Sequence, residues 1–168
     1  MARVGNTQNL KDQDRYDLLL LDFPDGFPNS QLTFTVGNNP RKITGVQKVV
    51  QIFVKCLMTG QGSDPIYPSA GTKFSDFVMY SNITSDSAVA KATITAAIKA
   101  AGDQAMAILN SYLYSAESQL ASVEVLDAIQ GSESTIVKVR ILTKAGVSAP
   151  IALPFNSNGL ILNEVTNG

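Results

Sequence analysis

Between residues 44 and 143 the spacing of apolar residues changes from threes and fours to twos, and that change confines the chain to a mixed architecture of helices and strands. In "TGVQKVVQIFVKCLMTG" (44–60), Val46, Val49, Val50, Phe53, Val54, Leu57 and Met58 fall on one broad face of a helix. Thr44 and Gln47 have capping-box spacing, and Gly60 stands where a left-handed cap would close the helix. A second helix is expected from Ser87 to about Glu117, rich in alanine. Its stripe comprises Ile94, Ile98, Ala101, Ala105, Ile108, Leu109 and Tyr112, over a length of roughly 45 Å. Gly102 and Asp103 weaken its middle and mark a place for a kink. The alanines allow a neighbouring element to approach its backbone closely.

Beyond this helix the period is two. "LASVEVLDAI" (120–129) and "TIVKVRILT" (135–143) alternate apolar and polar residues and are joined by "QGSES", a hairpin. "APIALPF" (149–155) carries two prolines, which restrict it to an edge strand or an extended segment. "GLILNEV" (159–165) reads either as a last edge strand or as a tail that pairs outside the chain. Upstream, "YDLLLLDF" (16–23) and "QLTFTV" (31–36) form a β-hairpin with a long turn, and residues 1–15 a polar arm. The expected fold is α/β (α+β), a small mixed or antiparallel sheet packed against two main helices. Three parts are expected: an N-terminal extension with a β-hairpin (1–43), a core domain (44–142) and a C-terminal extended segment (143–168).

At 168 residues the chain fits one domain. Charged residues make up 16%, below the quarter or so usual for soluble domains, and a surface short of charge often faces other protein. Lys and Arg are scattered at a net charge of −1, with no cluster larger than the pair Arg41-Lys42, so neither nucleic acid nor a membrane surface is expected as a partner. No apolar run reaches the ~20 residues of a membrane span, and "MARVGNTQNL" lacks the apolar stretch of a secretory signal. One cysteine, Cys56, permits no internal disulfide.

The sequence contains no histidine, which removes the usual general base, the commonest metal ligand and the ordinary hydrolytic triad. Cys56 reads as a small buried or half-buried hydrophobe, and no cofactor or metal is expected. A pair of carboxylates remains conceivable for glycoside hydrolysis, from Glu117, Glu124, Glu133, Glu164, Asp64 and Asp127. None lies in the apolar, aromatic-flanked setting that keeps a carboxyl protonated, and there is no tryptophan to hold a sugar. The chain is read as a non-enzyme. "LMTGQGSDPIYPSAGTKF" (57–74) has glycines that suit a phosphate cradle, but it lacks the Gly-Lys-Ser/Thr ending and follows a helix instead of a strand. The better reading is a turn that holds one shape. Asp64-Pro65 starts it, Pro68 stiffens its return and Gly71 takes a backbone angle that other residues avoid.

Residues 46–74, "VQKVVQIFVKCLMTGQGSDPIYPSAGTKF", resemble the start of the baseplate wedge or sheath-initiator family of contractile-tail phages, a family often labelled lysozyme-like. Leu57, Met58 and Thr59 look like its Leu-Leu-Thr tripeptide, with Gly62, Pro68, Gly71 and Phe74 at its glycine, proline, glycine and hydrophobic positions. Ser63 stands where the family often has Glu, and of its later Glu-Pro-Arg only Glu117 matches. The likeness covers about residues 44–142. It implies a sheath-protein-like domain and a structural virion protein of the tail baseplate, assembled in the host cytoplasm. The implied partners are the tail sheath protein, the wedge proteins and the tail tube, in six-fold arrangement. Its implied mechanism is strand addition at a sheet edge. The edge expected to accept a partner strand includes Ile136, Lys138, Val139, Arg140 and Ile141, with Leu160 and Leu162 in the tail. The alternatives are a peptidoglycan-cleaving enzyme, as the family label suggests, and another tail component such as a tube-end or tail-completion protein.

Overall fold

The computed structural model describes residues 17–18, 21–22, 33–34, 42–66, 68–74, 87–111, 114–130, 135–156, 159–160 and 163–164. Four short strands come first: β1 (Asp17–Leu18), β2 (Leu21–Asp22), β3 (Thr33–Phe34) and β4 (Lys42–Ile43). Helix α1 (Gly45–Met58) and helix α2 (Ser87–Asn110) follow, then a 3₁₀ turn (Ala116–Ser118). The main strands are β5 (Leu120–Gln130), β6 (Thr135–Thr143) and β7 (Ser148–Asn156), with two short ones, β8 (Gly159–Leu160) and β9 (Asn163–Glu164), at the end. The α/β class is as expected: α1 and α2 pack on one face of an antiparallel sheet in the order β5-β6-β7-β8. The hairpin foreseen over 16–36 is present as the antiparallel pair Leu21↔Phe34 and Asp22↔Thr33. The arm at 1–15 lies outside the described residues.

Alternation along β6 sets the layer. Thr135, Val137, Val139, Ile141 and Thr143 are buried, while Ile136, Lys138 and Arg140 are exposed on the other face. Opposite them on the helix side, β7 contributes Ala149, Ile151, Leu153 and Phe155. From above, α1 sends in Val49, Val50, Phe53, Val54 and Leu57, and α2 sends in Ile94, Ile98, Ala101, Ala105 and Leu109. These residues form one core.

The structure corrects several expectations. Strand β6 is central, paired with β5 on one side and β7 on the other, so Ile136, Lys138, Val139, Arg140 and Ile141 form no free edge. An alternating pattern reports which face of a strand is buried and is silent about what lies beside it. Residues 148–156 belong to the main sheet, because β7 pairs along β6 and carries Phe155 into the core, where its ring meets Phe74 edge-on at 4.6 Å. Its two prolines are tolerated because β8 touches β7 only at Phe155 and Asn156. The tail folds back: Leu160 pairs with Phe155, and Asn163–Glu164 lies parallel to Thr33–Phe34. Leu162 is outside the described residues.

Helix α2 ends at Asn110, well short of Glu117, giving 24 residues and a length of about 36 Å. It is unbroken at Gly102. A Cβ there would lie 3.2 Å from Val123 Cγ2, so the glycine serves the close seating of α2 on β5. Ile108 is exposed, and Tyr112 lies outside the described residues.

The start of α1 is also built differently. Thr44 makes no side-chain capping bond; the Gly45 N–H donates instead to Ser118 Oγ at 2.8 Å, across 73 residues of sequence. The helix ends without a left-handed glycine. Thr59 is extended there, and both its N–H and its hydroxyl donate to Lys55 O. Even the polar side of α1 is covered, with Gln51 and Lys48 buried and the Lys48 ammonium 3.5 Å above the Tyr114 ring.

Replacing Ser118 by alanine removes the hydroxyl that accepts the Gly45 N–H, so denaturant unfolding should show a loss of about 1 kcal/mol, against almost none for Thr44→Ala.

Candidate functional site

The loop from Thr59 to Phe74 follows the last turn of α1 and carries most of the motif positions named above. Its two ends lie side by side: the Thr72 N–H donates to Thr59 O at 2.8 Å, and the Gln61 N–H donates to Thr72 O at 3.0 Å, a parallel bridge around Gly60. Ser63 closes a tight turn onto Gly60 O through both its N–H and its hydroxyl. Asp64 Oδ1 accepts the Ile66 N–H at 2.8 Å, the Asx turn that an Asp-Pro start favours. The Thr72 hydroxyl donates to Leu57 O, and in turn accepts the Phe74 N–H. The loop is thereby tied to the last turn of α1.

It is tied to α2 as well. Gln104 donates from Nε2 to Gly71 O at 2.7 Å and accepts the Gly71 N–H on Oε1 at 2.8 Å. One carboxamide thus satisfies both backbone groups of a buried residue. Gly71 has φ +89°, and a Cβ on it would stand 2.5 Å from Thr59 O. Gly62 also has positive φ, at +84°, but opens onto free space. The expectation for Gly71 therefore holds, for two reasons where the sequence offered one.

The expected motif residues come together here. Leu57 and Phe74 are buried in the core, Thr59 joins helix to loop, Gly62 and Gly71 take the turns, and Pro68 is exposed on the return. Ile66 stands at the tip with 77% of its surface exposed. Glu117 is elsewhere, exposed in the 3₁₀ turn. That turn is fixed from below, since the Ala145 N–H donates to Ala116 O and the Lys144 N–H to Gln119 O. The residue of this segment that acts on the rest of the fold is its neighbour Ser118.

Three residues that hold the region, Gln104, Thr72 and Ser118, were not foreseen. Their partners are backbone groups 33, 15 and 73 positions away, a relation that no local spacing records.

The chemistry available is limited. Cys56 is buried, and that burial pushes its thiol above the ordinary value, with Lys55 pulling weakly the other way. Glu124 pairs with Arg140 at 2.8 Å on the exposed face of the sheet, a contact worth little in water. Among the described residues no group of three His, Cys, Asp or Glu is placed to hold a metal ion, and no helix is long and apolar enough to cross a membrane.

Two sets of variants test the loop. Gly62→Ala should cost about 1 kcal/mol through its backbone angle alone, whereas Gly71→Ala, which also meets two carbonyl oxygens, should cost roughly 3 kcal/mol in denaturant unfolding. Gln104→Ala should lose about 2–3 kcal/mol by leaving both Gly71 groups unpaired. Gln104→Glu adds a sign. Its carboxylate would face Gly71 O, which favours the protonated form and raises the folded-state pKa above the unfolded one. The contact is then complete below the unfolded value of about 4.3 and lost as pH rises through the folded one, so this variant should approach wild-type stability only in acid.

Compared with protein-family models, with curated proteins and with solved structures, the chain matches none.

Proposed function

We propose that this chain is a structural protein of a contractile-tail baseplate, joining the wedge to the sheath and seeding sheath assembly by strand addition. Its neighbours in this reading are the sheath protein, the wedge proteins and the tube, in six-fold arrangement. The observation that carries the reading is the loop itself. In the segment whose sequence resembles the sheath-initiator family, Asp64 turns onto Ile66, Ser63 onto Gly60 and Thr72 onto Leu57, while Gln104 of α2 holds Gly71 from outside it. A loop held this way is suited to keep a shape, and its carboxylate is engaged in a turn.

The low share of charged residues fits a surface that meets other proteins. Of the candidate carboxylates among the described residues, Glu117 is exposed in its turn and Glu124 is paired with Arg140.

Electron microscopy of particles made without the protein tests the proposal. The expected product is a baseplate bearing a bare tube, or none, with no ordered sheath; normal sheath on such particles overturns it. A cell-wall suspension treated with the purified chain should stay turbid. Clearing that disappears in Glu117→Gln or Glu124→Gln would replace the assembly reading with peptidoglycan cleavage.

A further inference from the structure

Helices α1 and α2 cover one face of the main sheet, and the opposite face carries its charge in columns. The register against β6 puts Glu124 and Asp127 of β5 on that outer face, beside the exposed Arg140 and Lys138 of β6. Opposite signs are paired: Glu124 stands across from Arg140, and Asp127 across from Lys138. An acidic column therefore runs alongside a basic one, about 5 Å away. The first pair is closed at 2.8 Å, yet both of its side chains stay exposed, so each can take a second partner.

Two residues further along the strand pair the charges stop. Ile129 stands across from Ile136, and Ile136 across from Pro154 of β7, an apolar row three strands wide. Ile129 is 46% exposed and Ile136 36%, and Leu126, at the register shift just before Asp127, is exposed as well. Apolar surface of this kind, bordered by charge, is the usual mark of a place where another protein sits.

We propose that this outer sheet face, over residues 124–129 and 136–140, binds a second copy of the same chain face to face. The charge pattern names the occupant. Two adjacent columns of equal and opposite charge select no partner of a single sign, and they are complementary to themselves. A copy related by a two-fold axis along the strands, midway between the columns, lays its β5 over the first copy's β6. Glu124 then meets the partner's Arg140, Asp127 the partner's Lys138 and Ile129 the partner's Ile136, and every contact occurs twice. The strands of the two sheets run the same way, as in aligned sandwiches, where twist leaves about 30° between them. An axis across the strands would stack acid on acid and base on base, at a cost in affinity. The face thus selects one symmetry. This inference goes beyond the assembly reading and does not depend on it.

Sedimentation equilibrium of the full chain tests it, with the chain as its own ligand. The wild type should form a dimer by about 100 μM, a weak association. Glu124→Arg and Arg140→Glu should each raise the dissociation constant at least about ten-fold, because each sets like charges against one another across the interface. Mixed in equal amounts, the two variants should form a heterodimer, since each supplies the sign that the other lacks. Ile129→Ser, which alters no charge, should weaken the dimer as well. All three positions are exposed, and thermal unfolding verifies that each variant is folded. A wild type that stays monomeric at that concentration, variants that dimerise like the wild type, or a mixture no tighter than its components overturns the proposal.

Discussion

The carboxamide of Gln104 holds the geometry on which the rest of this molecule is hung. By engaging the N–H and the C=O of Gly71 together, it fixes the returning limb of the loop against α2. Thr72 follows at once, bridging to Thr59 and to Leu57 at the end of α1. Two residues on, Phe74 is delivered into the core against Phe155 of β7. Loop, both helices and the far side of the sheet are thus coupled through a few residues. The left-handed backbone at Gly71 is where that coupling leaves no room for a side chain.

Much of the fold was legible in the sequence. The stripe Val49, Val50, Phe53, Val54 and Leu57 marks the buried face of α1, and the alternation from Thr135 to Thr143 marks both faces of β6. Pro150 and Pro154 lie in a strand that has β6 on one side and meets β8 on the other only at Phe155 and Asn156, so β7 is an edge over most of its length but not at its end. These signals are legible because burial imposes a period on neighbouring residues. Lateral order within the sheet imposes none, which is how the central β6 came to be read as an edge. Gly102 shows the same limit: alone in a helix it reads as a weak point, whereas its role is set by Val123 on a strand.

For the candidate site the division is similar. Asp64 and Gly71 announce their turns locally, and both behave as their residue types foretell. Gln104 resembles any polar residue on the solvent side of a helix, and Ser118 any small residue in a linker. Their importance comes from backbone groups brought to them by folding. Lys48 is a further instance, a cation on the polar side of α1 that is buried because Tyr114 lies over it.

The nearness of Gly102 to Val123 has a wider consequence. A methyl group at 102 would need Val123 to yield by a few tenths of an ångström, and anything larger would wedge the helix off the strand. The interlayer distance in this half of the fold is thus metered by a missing side chain.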